Sequence, residues 1–413
     1  MKKLFWLFLF AGLFWSCSDN DEDDSLHPEP SSGDDSITVM AYLLANNNLD
    51  DFMVDNVCFM YDGLATMTEK ATLLIYWDGE TAIGENASRH LLLKYETDGK
   101  GNINGRKALD ASAKVKDILN EATIVKEYPE QVSTDKQVMA SVLKDMVSEA
   151  PTSRYGLIYG SHGSSWLDTI TTRALGYDGS YSNSILLPDM VEAMEGIGKP
   201  FDFLLFDACY MGTAEVCYEF RHVADYQISS VMEVPAYGFP YDLLLKDLYK
   251  GTVEGYKQAC RTFIDFYKSE YDSGYTAWGT IALVDSKEVQ PLTNLIKQEI
   301  VSNKVMLASY SAGGLQEYGR QAGYGIAYDL EHFVKDLNGG NAPQSFKAQL
   351  DKTILYKGCL EDARYSMYDY DVDATNFCGM GIYIPTAGKA KWNSYFKTLD
   401  WYTASGWNEV GSF

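Results

Sequence analysis

Tyr155-Gly156-Leu157-Ile158-Tyr159-Gly160-Ser161-His162-Gly163 and Phe203-Leu204-Leu205-Phe206-Asp207-Ala208-Cys209 are the two stretches on which the reading of this 413-residue chain turns. Each begins as a short aliphatic and aromatic run of strand character and breaks off into small and polar residues. The first ends on an imidazole beside a glycine, the second on a carboxylate and a thiol. In an open parallel α/β sheet, sites form beyond the carboxyl ends of the strands. Both runs therefore deliver reactive groups where a site is expected.

Outward from these two, further strands are predicted at Ile37–Leu44, Ala71–Trp77, His90–Tyr95 and Tyr226–Val231. Helical periodicity lies between them, as in Lys136–Glu149 and Leu187–Met194, and this alternation predicts an α/β sheet covered on both faces. After about Ala236 the pattern shifts toward amphipathic helices at Leu243–Tyr249, Val253–Lys268 and Val289–Val301, with strands at Tyr275–Val284 and Gly381–Ile384. This second half reads either as a separate subdomain or as an extension of the first sheet.

The chemistry of the two strand ends is complementary. A free thiol is only a few per cent ionised at neutral pH, so a cysteine nucleophile needs an imidazole that favours the thiolate or handles the leaving-group proton. Gly163 lets the main chain approach a substrate closely, and its N–H with that of Cys209 would form a pair of donors for an oxyanion. Taken singly, Cys209 would read as one more small buried hydrophobe. With His162 about 47 residues before it at a matching strand end, it reads as a nucleophile. His90, His222 and His332 lack a strand-edge glycine and read as structural, and Cys217 reads as core.

The paired motif resembles the caspase-like clan of cysteine peptidases, and the fuller text resembles its clostripain family. The matching pieces are Tyr159 to Gly163 with Trp166, Gly176-Tyr177-Asp178, Phe206 to Met211, Glu233 to Pro235 with Gly238 and Tyr241, and Gly379 to Pro385. The resemblance runs from about Ser36 to Trp407. It implies a caspase-like α/β/α sandwich with a mostly parallel central sheet and a helix-rich C-terminal extension. It also implies a His162–Cys209 dyad, no organic cofactor, and Asp207 lining a pocket for a basic substrate side chain, with Glu233 as a second residue of that pocket. Relatives are often zymogens that nick themselves after Lys or Arg between the catalytic residues, and Arg173-Ala174 is the matching bond here. The expected partners are polypeptides with basic residues.

The N-terminus carries Lys2-Lys3 and then an apolar run from Leu4 to Trp15, a targeting segment too short to span a bilayer comfortably. It ends in Ser16-Cys17, which resembles a bacterial lipobox, although Phe14 and Trp15 stand where a leucine-like and a small residue are usual. Lipidation at Cys17 is expected, with residues 1–17 as signal peptide and the membrane reached through that lipid alone. Residues 18–35 are acidic and Pro/Ser/Gly-rich, hence a solvated tether, and an acidic run after a lipidated cysteine resembles a surface-export signal. The domain expectation is thus 18–35 tether, 36–235 catalytic core and 236–413 extension, on an outer membrane.

A formal charge of −24 argues against nucleic acid and favours cationic substrates. Cysteines 58, 209, 217, 260, 359 and 378 contain no CxxC pair and suggest neither a disulfide framework nor a zinc site. Asp168, Asp178 and Asp189 match no EF-hand spacing, so no metal is expected. The other class of function compatible with the sequence is a surface lipoprotein whose inactive peptidase-like domain binds peptides or glycans through its 30 tyrosines.

Overall fold

A computed structural model describes residues 36–413 apart from 84–88, 111, 168–174, 181–182, 270–277, 320–323, 362–363, 366–367, 370–371 and 412. The expected lipidation cysteine Cys17, the tether, Asp168 and the bond Arg173-Ala174 lie outside the described residues.

In chain order the first strands are β1 (Ile37–Leu44), β2 (Ala71–Asp78), β3 (His90–Thr97), the two-residue β4 (Asn102–Ile103) and β5 (Arg106–Lys107), and β6 (Thr123–Glu127). Then come β7 (Arg154–Gly160), β8 (Phe201–Asp207), β9 (Ala224–Ser229), β10 (Thr280–Asp285), β11 (Glu317–Tyr318), β12 (Ala327–Asp329), β13 (Ile354–Cys359), the hairpin β14 (Arg364–Tyr365) and β15 (Tyr368–Asp369), and β16 (Gly381–Ile382). The helices that cover the sheet are α1 (Asp50–Ala65), α2 (Val115–Asn120), α3 (Lys136–Glu149), α4 (Leu187–Glu195), α5 (Ala214–Glu219), α6 (Tyr241–Leu248), α7 (Val253–Ser269) and α8 (Ser286–Ser302).

The large sheet runs β13-β10-β9-β8-β7-β1-β2-β3-β4-β5, with β6 also paired to β3. Its five central strands, from β9 to β2, are parallel. Both flanks continue antiparallel through β10, β13, β3 and β6, so the sheet as a whole is mixed. The central strands read as continuous apolar runs because each is buried on both faces. In β1, Met40, Tyr42 and Leu44 point into one core, while Val39, Ala41 and Leu43 point into the other.

The first core is closed by α3, α4, α5 and α8 through residues such as Leu143, Met190, Val216 and Ile296. The second is closed by α1, α2, α6 and α7 through Val57, Ile118, Leu245 and Phe263. The result is an α/β/α sandwich. The side chains of Asp135 and Asp285 accept N–H bonds from the first turns of α3 and α8, which fixes where those helices start.

Part of the chain beyond Ala236 extends the first sheet, since β10 and β13 are hydrogen-bonded members of it. The second sheet, β11-β12-β16, is joined to the loop after β8 by a bridge between Thr213 and Gly381. Boundaries differ from the sequence expectation in places. The strand expected from Tyr275 starts at Thr280, and of Gly381–Ile384 only Gly381 and Ile382 are paired.

Candidate active site

Strands β7 and β8 are parallel neighbours with Gly160 in register with Asp207. His162 and Cys209 each stand two residues beyond that last pair, so both leave neighbouring strands at the same carboxyl edge. The two exits are tied together: Ser161 N–H donates to the Asp207 carbonyl at 3.2 Å, and the Ser165 and Thr213 hydroxyls share a hydrogen bond of 2.8 Å. A Cβ on Gly163 would collide with the Cys209 carbonyl oxygen and lie 2.8 Å from its nitrogen. Only glycine allows this main chain to rest on that of Cys209.

The His162 ring is 9% exposed. It lies flat against Tyr177, with ring centroids 5.0 Å apart and planes 5° apart. Its Nε2 is 2.9 Å from Asn48 Oδ1, which also accepts the Tyr177 hydroxyl at 2.8 Å. A carbonyl oxygen only accepts, so Nε2 carries the hydrogen. Gly176 N–H donates to the His162 carbonyl at 2.9 Å and holds the Tyr177 segment beneath the ring.

Cys209 is half-buried, with its Sγ 4.0 Å from the Val234 carbonyl. The next residue, Tyr210, has φ of 64°. Left-handed backbone at a bulky residue costs free energy and concentrates at functional sites. Here the surroundings hold it: Tyr210 N–H donates to Met232 and Gly212 N–H to Ser230.

Asp207 is 5% exposed. Burial pushes its carboxyl up to about 7, although hydrogen bonds from the Tyr241 hydroxyl and the Phe239 N–H pull the other way. Tyr241 Oη donates to Asp207 Oδ2 at 2.9 Å, and Asn56 Nδ2 lies 3.5 Å from the same oxygen. Asn56 Oδ1 is buried without a hydrogen-bond partner among the described residues. Gly238, at φ of 69°, packs its backbone directly on the Asp207 carboxylate. Among the described residues an ionised carboxylate in so dry a place lacks a cation, and the orphaned amide oxygen beside it lacks a donor.

Glu233 is also buried but has other neighbours. Its carbonyl accepts the Trp278 indole N–H at 3.1 Å, and its carboxylate adds to burial in pushing up the phenol of Tyr210. The remaining candidates are structural in their surroundings. Asp178 accepts from Asn46 Nδ2 at 2.5 Å and from Ser133 N–H at 2.9 Å, and Asp189 pairs with Lys136 at 3.1 Å. His90 is buried against the Tyr76 hydroxyl, and Cys217 is buried in α5. Among the described residues no group of three His, Cys, Asp or Glu side chains is arranged to hold a metal ion.

Sequence reasoning missed Asn48 and Asn56. The available signal was Asn46-Asn47-Asn48 directly after β1, since β1 is the strand paired to β7 and its carboxyl end opens on the same edge.

What this arrangement can do is nucleophilic chemistry: an imidazole and a thiol carried off neighbouring parallel strands at one sheet edge, flanked by a buried carboxylate. The family model described as the clostripain family matches residues 41–411. Clostripain of Hathewaya histolytica is 25% identical over 234 residues, which is 52% of this chain but only 42% of that protein's length. The solved structure of an inactive zymogen protease from Parabacteroides distasonis superposes with a TM-score of 0.70 at 25% identity, covering 89% of this chain and 97% of that one. A secreted cysteine protease from Bacteroides thetaiotaomicron, solved with an irreversible peptide inhibitor, has the same fold, with a TM-score of 0.70 at 24% identity over 90% of this chain and 99% of that one.

Proposed function

This chain belongs to the clostripain family of cysteine peptidases, and from that premise we propose that it is an endopeptidase that cuts polypeptides after Arg or Lys through a Cys209–His162 dyad. Cys209 attacks the scissile carbonyl carbon after its proton passes to His162, and the carbonyl electron pair moves onto oxygen. The N–H groups of Gly163 and Cys209 receive that oxyanion. Collapse expels the amine, which takes the proton from His162, and water then hydrolyses the acyl-enzyme.

The observation that carries the reading of specificity is Asp207: a buried carboxylate held near 7, beside a buried amide oxygen with no donor among the described residues. A guanidinium or ammonium would supply both the charge and the donors that are missing. Glu233 is retained as a second acidic residue of this cleft. The test is turnover of Arg and Lys ester reporters by the mature protein beside Cys209→Ala and His162→Ala. Both variants should be inactive, and equal turnover by all three would end the proposal; an Arg-directed electrophile that leaves no adduct at Cys209 would favour a binding lipoprotein instead.

Two further parts of the proposal concern residues outside the described structure. Self-cleavage at Arg173-Ala174 should yield two fragments, the second beginning at Ala174, while Cys209→Ala stays whole. Lipid on Cys17 should anchor the protein in the cell envelope, and a Cys17→Ala variant should leave the membrane fraction. A single intact active band, or an unchanged membrane fraction, would remove the respective part.

A further inference from the structure

We infer that Asn48 is a positioning residue for the proposed dyad: its amide oxygen holds the hydrogen on Nε2 of His162 and so selects the tautomer in which Nδ1 is the basic nitrogen that takes the thiol proton. The inference rests on the dyad reading and adds a third participant to it.

Asn48 Oδ1 receives two bonds, from His162 Nε2–H at 2.9 Å and from the Tyr177 hydroxyl at 2.8 Å. With the amide reversed, its NH2 would face Nε2, the ring hydrogen would move to Nδ1, and the imidazole would have no lone pair left for the thiol. The orientation that accepts the tyrosine hydroxyl is therefore the one that makes the ring a base.

Asn48 is itself on the surface, so a freely rotating amide would set nothing. Its two predecessors supply the rigidity. Asn47 Nδ2 donates to the Leu44 carbonyl at 3.0 Å and to the Tyr177 carbonyl at 3.1 Å. Asn46 Nδ2 donates to Asp178 Oδ1 at 2.5 Å, and the Asn46 carbonyl accepts Gly179 N–H at 2.7 Å. Three consecutive asparagines at the end of β1 thus clamp Tyr177, whose ring lies flat on the imidazole and whose hydroxyl fixes the Asn48 oxygen.

A neutral amide also suits both halves of the reaction. During attack the S–H proton moves to Nδ1 while Nε2 keeps its own, and the imidazolium gains only an ion–dipole contact. It then remains acidic enough to hand the Nδ1 proton to the leaving nitrogen as the C–N bond breaks. A carboxylate in the same place would hold that proton more tightly.

The experiment measures alkylation of Cys209 by iodoacetamide against pH, read at the Cys209 peptide by mass spectrometry in the full-length protein. Four proteins are compared: wild type, His162→Ala, Asn48→Ala and Asn48→Asp. Wild type should reach half-maximal alkylation at lower pH than His162→Ala. Asn48→Ala should move toward His162→Ala, with kcat on a reporter ester reduced on the order of 10²-fold, the low end of what a positioned acid–base group supplies, and KM nearly unchanged. Asn48→Asp should move the other way by about one pH unit, because an opposite charge near an imidazolium favours the ion pair. A wild-type profile in Asn48→Ala overturns the inference and leaves the dyad standing. Should Asn48→Ala not fold, an unshifted Asn48→Asp overturns it equally. Coincident wild-type and His162→Ala profiles overturn the dyad and the inference together.

Discussion

In the free protein Asp207 is held near 7 mainly by burial, whereas in an unfolded chain a carboxyl titrates near 4. As pH rises from about 4 to about 7 the unfolded chain gives up this proton first, so Asp207 lowers stability across that window and stays unfavourable above it. Asp207→Asn should therefore melt at a higher temperature than wild type at pH 8 and at the same temperature near pH 4. The same variant should lose about 2–5 kcal/mol of transition-state binding for a basic substrate, the cost of leaving a buried cation without its partner. In wild type, KM for an Arg ester should climb as pH drops below about 7, while Asp207→Asn should show no such climb. Gly163→Ala is a second test at this scale: its Cβ would meet the Cys209 main chain, so kcat should fall on the order of 10²-fold, as when one oxyanion donor is lost, with KM little altered. His162 and Cys209 were legible in the sequence because each follows an apolar run that could only be a buried strand. Asn48 was not, because asparagines after a strand read equally well as an ordinary turn.

Elements carry the site as much as residues do. Helix α5 begins just after the loop that carries Cys209, and its two glutamates grip the C-terminal chain. Glu215 accepts the Tyr383 N–H at 2.9 Å, and Glu219 accepts the Trp401 N–H at 2.9 Å. Gly381 N–H donates to the Gly212 carbonyl at 3.0 Å, and Trp166 packs against Tyr383, Tyr395 and Phe396. The last part of the chain is thereby fastened to the two loops that carry His162 and Cys209. Burial raises Glu215 to about 8, so it is mostly neutral at pH 7 and a glutamine can replace it. Glu215→Gln should leave the denaturation midpoint close to wild type. Glu215→Ala orphans a buried N–H and should cost about 1–3 kcal/mol, and a tolerated alanine would contradict the clasp.

The same scale shows where periodicity failed. Helices α3 and α7 were readable from their one-sided apolar spacing, but α1 was not assigned. Its polar Asn56 is buried along with Met53, Val57, Met60 and Tyr61, and Gly63 packs against the Tyr241 carbonyl of α6. A helix covered on most of its circumference loses the polar contrast that marks an amphipathic one. With α1 unread, Asn56 beside Asp207 was out of reach too.

At the level of the whole molecule, the alternation of strands and helices was enough to predict an α/β sheet covered on both faces, because two-sided burial leaves apolar runs in the text. Strand order was not readable. The pairing of β1 with β7 joins segments separated by more than half of the catalytic core, and no local pattern records such a choice. The placing of β10 and β13 in the same sheet was equally hidden, since their flanking antiparallel pairings depend on edges that only the folded sheet presents. The charge of −24 acts at this scale as well. It should draw cationic peptides toward the cleft, so kcat/KM for a multiply charged basic substrate should fall several-fold between low and physiological salt while kcat stays constant. Salt-independent kcat/KM would show that the net field plays no part in encounter.

The most direct measurement is digestion of a mixed peptide library by the purified mature protein, with every cut position mapped by mass spectrometry and Cys209→Ala run alongside. Cuts that follow Arg or Lys and vanish in the variant are the predicted result. Cuts scattered without regard to a preceding cation, or cleavage by the alanine variant at the wild-type rate, would contradict the pairing of Cys209 chemistry with an Asp207 cleft.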